Sequence, residues 1–333
     1  MQPGPAAPGL PGGTFPTVPR SISRAMPEDA DASRTAPAAI VGAGAVGTAL
    51  ARRLAACGYP VRAVLSRTAE DARALAERVG AAVGGDEAAA LPADVRIVLL
   101  CVPDDALAEV AEALAAQDHP WARTVVGHTA GARTAAVLAP LAGRGAATLS
   151  FHPLQTFAPG TPPEAFEDIV VAVEGDEEAV LAGTGLARRL GARPLVLSAA
   201  DKVRYHCAAA LASNGLVALM GVVQELLTAA DVDEEAAALM GPLVEQTWAN
   251  LKAGAPEAVL TGPVVRGDRD TVTAHLRALE AETPHLVPLY AALSTEMARL
   301  GVRSGRLDGE TAEEMLRLLR GALGDMEGGE ESK

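Results

Sequence analysis

Apolar residues follow two different rhythms along this chain, and the change from one to the other divides it. Up to about residue 198, short continuous apolar runs alternate with stretches whose apolar positions recur every three or four residues. The runs AAIV (38–41), PVRAVLSR (60–67), DVRIVLLCV (94–102), RTVVGH (123–128), AATLSFH (146–152), DIVVAVEG (168–175) and RPLVL (193–197) have the length of buried strands. Strands alternating with helices predict an α/β domain with a parallel, doubly wound sheet over 37–198. Beyond residue 198 the strand rhythm stops. Segments 201–230, 233–253, 268–281, 284–302 and 309–323 predict helices, separated by breaks such as DVDEE, GAPEAVLTGPVVRGD and ETP, so 199–324 is expected to be an all-α domain.

The first run leads straight into Gly42-x-Gly44-Ala45-Val46-Gly47, and the alanine and leucine content of residues 48–57 predicts a helix behind it. Gly42 permits a tight turn, Gly44 lets backbone approach a pyrophosphate, and Gly47 lets helix and strand pack closely. In this strand-turn-helix context the motif predicts a dinucleotide site of Rossmann type, with Ala45, Val46 and Gly47 supplying the helix start. The second strand ends in Ser66-Arg67-Thr68, where an NAD site would usually carry a carboxylate for the ribose 2′-hydroxyl. A guanidinium flanked by two hydroxyls suits a 2′-phosphate, so NADP(H) is the expected cofactor; the plain alternative is that Arg67 caps a solvated loop. Ligands of such sheets lie at the carboxyl ends of the strands, which puts Val102, Pro103, His128, Thr129 and His152 on the cofactor side.

The helical half opens with DKVRYHCAAALASN (201–214). At ~100° per residue, Lys202, His206, Ala209 and Ser213 share a stripe with Asn214 at its border, a face where small side chains leave room for substrate and polar ones meet it. A lysine close to a positively charged nicotinamide has a lowered pKa and can donate a proton to a carbonyl oxygen, with His206 orienting that oxygen or sharing the proton. The alternative is a solvated helix start followed by a core histidine. Asn214, read as lying mid-helix between apolar residues, requires partners if buried. In LTGPVVRGD, Gly262-Pro263 predicts a turn and Asp268 an N-cap, while Arg266 is either a surface arginine or a clamp for a substrate carboxylate. Thr129 is a candidate contact for the nicotinamide carboxamide, His152 for the substrate; His128 and Gln155 are weaker candidates.

GAGAVGTAL, HTAGA, SFHPLQTFA, KVRYHCAAALASN and LTGPVVRGDRDTVTAHL, in this order, resemble the Rossmann-like oxidoreductases with a C-terminal DUF2520 domain, from about Pro37 to Tyr290. That family is in turn similar to ketopantoate reductases, pyrroline-5-carboxylate reductases and 3-hydroxyisobutyrate or 6-phosphogluconate dehydrogenases, which join a Rossmann domain to a helical one. The resemblance implies a C-terminal domain like that of 6-phosphogluconate dehydrogenase. Several of those enzymes carry a catalytic K-x-x-x-N on the first helix of the second domain; here the spacing is Lys202-x-x-x-His206, with histidine in the second place.

Composition limits the partners. The net charge of −14 argues against nucleic acid or an anionic membrane surface, which call for basic patches. Three cysteines far apart, Cys57, Cys101 and Cys207, encode neither a disulfide framework nor a zinc site, and suit a reducing cytoplasm. No metal site is expected, and no apolar run free of polar interruption reaches the ~18 residues of a membrane span. Residues 1–36, rich in Pro and Gly, are expected to be a disordered tail, with Met26 an alternative start, and 325–333 a frayed acidic end. The apolar run GLVALMGVVQELL predicts a homodimer interface, or else a deeply buried helix. The expected activity is NADPH-dependent reduction of a small carbonyl or imine bearing a carboxylate. The rivals are a non-catalytic NADP-binding sensor or scaffold, and an oxidoreductase using a deazaflavin.

Overall fold

The computed structural model describes residues 36–330, and the side chains up to Leu323. The expected tail over 1–36, Ala36 aside, and the alternative start at Met26 lie outside the described residues. The chain divides into two compact units after Ala199.

The first unit runs β1 (Ala38–Val41), α1 (Ala45–Ala56), β2 (Val61–Leu65), α2 (Ala69–Val79), β3 (Val83–Gly85), β4 (Ile97–Leu100), α3 (Leu107–Ala115), β5 (Val125–His128), a 3-10 turn (Ala135–Leu138), α4 (Ala139–Ala142), β6 (Ala147–Pro153), β7 (Val170–Gly175), α5 (Glu177–Arg189) and β8 (Arg193–Val196). The strands form one sheet in the order β3-β2-β1-β4-β5-β6-β7-β8. Side-chain alternation divides the central strands between two cores. In β1, Ala38 and Ile40 join Leu50, Leu54, Leu75, Leu186 and Leu190 on one face, while Ala39 and Val41 join Leu107, Leu114, Leu138 and Leu141 on the other. This is the doubly wound arrangement that the alternating pattern predicts.

The sheet departs from the fully parallel expectation at one seam: β6 and β7 pair antiparallel, while β7 and β8 are again parallel. The connection 154–169 explains it. A parallel return needs a crossover of a dozen or more residues, usually helical. This segment, broken by Pro159, Pro162 and Pro163, forms no helix longer than the 3-10 turn Pro163–Phe166, so the chain folds back on the same edge. β3, which the sequence pattern did not mark, is the other difference. Its VGG reads as a loop, yet a Cβ at Gly84 would stand 2.8 Å from Arg73 Cα, so glycine is what lets α2 lie this close.

Just before β5, the buried His119 bonds through Nε2 to Thr124 Oγ1 at 3.1 Å and packs on Trp121. Burial, and secondarily the Arg96 charge, push its pKa below 6.5. Above 6.5 both folded and unfolded states carry it neutral; as pH falls below that value the unfolded chain takes up the proton first, and stability declines until the folded-state pKa is passed. The thermal midpoint is therefore expected to fall more between about pH 7.5 and about pH 5.5 in the wild type than in His119→Gln. Parallel melts check this, and equal falls would remove His119 from the acid sensitivity.

The second unit is helical: α6 (Ala199–Ala212), which begins at the unit boundary, α7 (Asn214–Ala229), α8 (Ala236–Ala253), α9 (Pro256–Val259), α10 (Pro263–Arg266), α11 (Arg269–Glu282), α12 (Val287–Arg303) and α13 (Gly309–Glu330). Its core gathers Val272, Leu276, Val287, Ala298, Met315 and Leu319 from α11, α12 and α13. Two expectations are corrected. The helix predicted over 201–230 is interrupted for one residue at Ser213, whose φ of −107° lies outside the usual helical range, so Asn214 begins α7 instead of lying mid-helix. The acidic end expected from 325 is helical to Glu330, as no proline follows Gly309 to stop α13. Taken together across Ser213, α6 and α7 are, among the described residues, long and apolar enough to cross a membrane by length and composition, although His206, Ser213 and Asn214 interrupt the apolar run as the sequence reading has it.

Candidate functional site: a glycine-turn cleft in the first unit

Gly42 has φ of 108°, a conformation open to glycine, and a Cβ there would sit 2.4 Å from the Cys101 carbonyl oxygen. Gly47 packs so tightly that a Cβ would meet Gly42 O at 1.9 Å. Gly44 differs: nothing lies within 4 Å of the place a Cβ would take, and the residue is exposed. Two glycines thus bring strand, turn and helix together, and the third leaves backbone open. Gly44 is also the N-cap of α1, with no side-chain cap and no acidic residue in the first turn, so the leading N–H groups, where Ala45, Val46 and Gly47 stand, lack a built-in anion.

This turn forms one wall of a cleft of about 580 Å³ at the carboxyl ends of β1, β2 and β4. Of the residues singled out in sequence, Gly42, Gly44, Ser66, Arg67, Thr68, Val102 and Pro103 line it. Arg67 and Thr68 are exposed there, and Ser66 is half-buried, its N–H held by Gly85 O at 2.9 Å. Sequence reading missed Cys101, Asp71, Asp86 and Glu109, which also line the cleft. Cys101 was legible in principle, since it immediately precedes Val102-Pro103. Asp86 was hidden because it follows the unrecognised β3.

Cys101 is half-buried in the cleft wall, and burial pushes its thiol up to about 12. The thiol is therefore neutral at ordinary pH and offers the cleft an uncharged wall. Thr129, half-buried one residue beyond β5, is held by its N–H to Leu100 O at 3.0 Å, and its hydroxyl faces the same oxygen at 3.5 Å. His128 is fully buried, bonding Thr134 O at 3.2 Å, and does not line the cleft. His152 is half-buried on β6 opposite Ala172, and exposed Gln155 accepts the neighbouring Thr156 N–H at 2.8 Å.

The remaining candidates belong to the second unit. On α6, Lys202 is fully buried and His206 half-buried; Ser213 and Asn214 are exposed at the helix junction. Arg266 is exposed at the end of α10, after the positive-φ turn at Gly262. Next to it Asp268 caps α11 as the motif predicts, accepting from Thr271 N at 3.0 Å and Thr271 Oγ1 at 2.7 Å, and these bonds hold its carboxyl below the usual range.

Comparison with known proteins places its boundary earlier, before β7 of the first unit. The model of a Rossmann-like domain matches residues 25–153, and that of DUF2520, a domain of unknown function, matches residues 169–297. Among solved structures, a provisionally assigned NADP oxidoreductase from Bacteroides fragilis is 26% identical, with a TM-score of 0.66 over 79% of this chain and 98% of that one. A protein from Thermotoga maritima is also 26% identical, with a TM-score of 0.65 over 80% of this chain and 98% of its own. An imine reductase from Pseudomonas sp. shares the fold at 20% identity, TM-score 0.58, over 87% of this chain and all of that one (100%). No curated protein sequence matches. The chain thus carries a match to a Rossmann-like domain followed by a match to DUF2520, the second taking in β7, α5 and β8 as well as helices of the second unit.

Proposed function

We propose that the protein is an NADPH-dependent oxidoreductase that reduces a small carbonyl or imine compound bearing a carboxylate. The observation that carries this reading is the open Gly44 at the uncapped start of α1, in one cleft with Arg67. The residues fit the cofactor by chemistry: the leading N–H groups of α1 suit a pyrophosphate, and Ser66, Arg67 and Thr68 suit a ribose 2′-phosphate. Bound NADPH supplies a hydride. The Bacteroides fragilis relative, described as an NADP oxidoreductase, supports the same cofactor class.

Lys202 Nζ supplies the proton to the substrate oxygen or nitrogen in this reading, and His206 and Asn214 orient the acceptor. The chain contains three lysines, Lys202, Lys252 and Lys333, and meets nearly all its need for cations with arginine. Lysine is kept at a fully buried position. Arginine never gives up its proton, whereas an ammonium is a proton donor that side-chain chemistry allows, which suits a general acid. Arg266 holds the substrate carboxylate, Ser213 and His152 line its site, and Thr129 meets the nicotinamide carboxamide.

Titration of the purified protein with NADPH and NADH in parallel, followed by cofactor fluorescence, tests the cofactor. Arg67→Ala is expected to weaken NADPH binding by about 10- to 100-fold, the value of a charge-assisted pair, and to leave NADH binding unaltered. If neither nucleotide binds the wild type, the reductase reading falls with the site.

A homodimer completes the proposal. Val203, Leu211, Val217, Leu243 and Trp248 on α6, α7 and α8 are each more than half exposed, Val217 at 72%, a larger apolar surface than a monomer commonly leaves in water. Light scattering is expected to give twice the chain mass for the wild type and the single mass for Val217→Glu with Leu243→Glu. A monomeric wild type that partitions into lipid vesicles would transfer this face to a membrane. The unpaired thiols of Cys57, Cys101 and Cys207 fit a reducing cytoplasm.

A further inference from the structure

Three polar residues outside the cleft lie abreast across the sheet. His128 on β5 pairs in register with Ser150 on β6, and Ser150 with Glu174 on β7. Residues in register point to the same face, here the face of Val126 and Leu138, and all three are buried, His128 and Ser150 completely and Glu174 to within 8%. A charged carboxylate in such a place is costly unless strong donors meet it.

All three side chains reach the same short segment. Ser150 Oγ faces Ala130 O at 3.5 Å, His128 Nε2 donates to Thr134 O at 3.2 Å, and Glu174 Oε2 accepts from Ala135 N at 2.8 Å. The Glu174 bond spans 39 residues and supplies the acceptor that Thr134, at the N-cap of the 3-10 turn, does not provide with its own side chain. The segment so fastened begins at Thr129, whose N–H and hydroxyl both face Leu100 O, at 3.0 and 3.5 Å, directly before Cys101 of the cleft wall.

We infer that His128, Ser150 and Glu174 are positioning residues: a buried clamp that fixes residues 129–135 on the carboxyl edge of the sheet and thereby holds Thr129 at the end of the cleft away from Arg67. Sheet order gives the direction. Arg67 follows β2, the glycine turn follows β1, and β4 and β5 come next, so a dinucleotide whose 2′-phosphate sits at β2 and pyrophosphate at β1 extends its other half toward β5. The clamp acts on that nicotinamide half, a role that rests on the cofactor reading above, whereas the fastening of the segment does not.

Hydrogen exchange and two ligands separate these claims. In the wild type the Ala135 amide is expected to exchange as slowly as the β5 amides; exchange at the rate of an open loop overturns the clamp without need of any variant. In Glu174→Ala, exchange across 129–135 is expected to speed up and NADPH affinity to fall about tenfold, the effect of a lost hydrogen bond to a charged group. Binding of 2′,5′-ADP, which carries only the adenosine half, is expected to stay unchanged, and Glu174→Gln, which keeps an acceptor, to restore most of the NADPH affinity. Equal losses for both ligands would reduce Glu174 to a structural residue and overturn the positioning role. A wild type that binds neither ligand would refute the cofactor reading and the positioning role together, while the slow exchange at Ala135 would still be judged on its own.

Discussion

Gly44→Ala is expected to fold almost like the wild type and to lose about 10- to 100-fold in NADPH affinity, the value of one or two charge-assisted contacts to phosphate. Space and backbone both allow the methyl group: nothing lies within 4 Å of it, and φ of −72° suits any residue. Its stability cost is that of exchanging a glycine N-cap for alanine, about 1 kcal/mol or less. Gly47→Ala is expected to behave in the opposite way. Its methyl group would meet Gly42 O at 1.9 Å, so helix and strand must separate, at about 1–3 kcal/mol for an overpacked site. Melting curves and NADPH titrations on the two variants distinguish a ligand-facing glycine from a packing one. If Gly44→Ala binds NADPH as well as the wild type, the pyrophosphate does not lie on this turn.

Lys202→Met is expected to lower turnover by about 10²- to 10⁴-fold, the usual contribution of a positioned proton donor, with NADPH affinity unchanged. Methionine has a similar length and suits a fully buried position, so the variant is expected to keep its fold. The measurement is single-turnover oxidation of NADPH across a panel of 2-oxo acids and cyclic imines, first with the wild type to find a substrate and then with the variant. A kcat within a few-fold of the wild type on that substrate would remove Lys202 from the chemistry. Loss of NADPH affinity in step with turnover would make it a binding residue instead.

The relation between sequence and site differs from residue to residue for physical reasons. Gly42, Gly44 and Gly47 were legible because their constraint is local: a strand, a turn and a helix start within ten residues specify it. Arg67 was legible by its distance from that turn along one strand-helix-strand unit. Asp86 was not, since it is set by β3, whose three residues carry too little apolar pattern to be distinguished from a loop. Asn214 was misread as mid-helix because the apolar run on either side outweighed the turn signal of Ser213-Asn214-Gly215, which interrupts the helix for a single residue. The direction of β7 was misread because a buried strand has the same composition either way along, and only the missing crossover helix hinted at the reversal.

By itself the sequence determined what depends on near neighbours: the apolar period of each long element, the glycine turn, the Asp268 cap and the change from mixed to helical architecture at residue 198. The tertiary structure decided what depends on register between distant segments. His128, Ser150 and Glu174 stand 22 and 24 residues apart in sequence and abreast in the sheet, and Lys202, for which the sequence left a substrate-facing stripe and a solvated helix start both open, is fully enclosed. Burial and cross-strand alignment are properties of the packed chain, because which side chains share a face is fixed only when strands choose their partners.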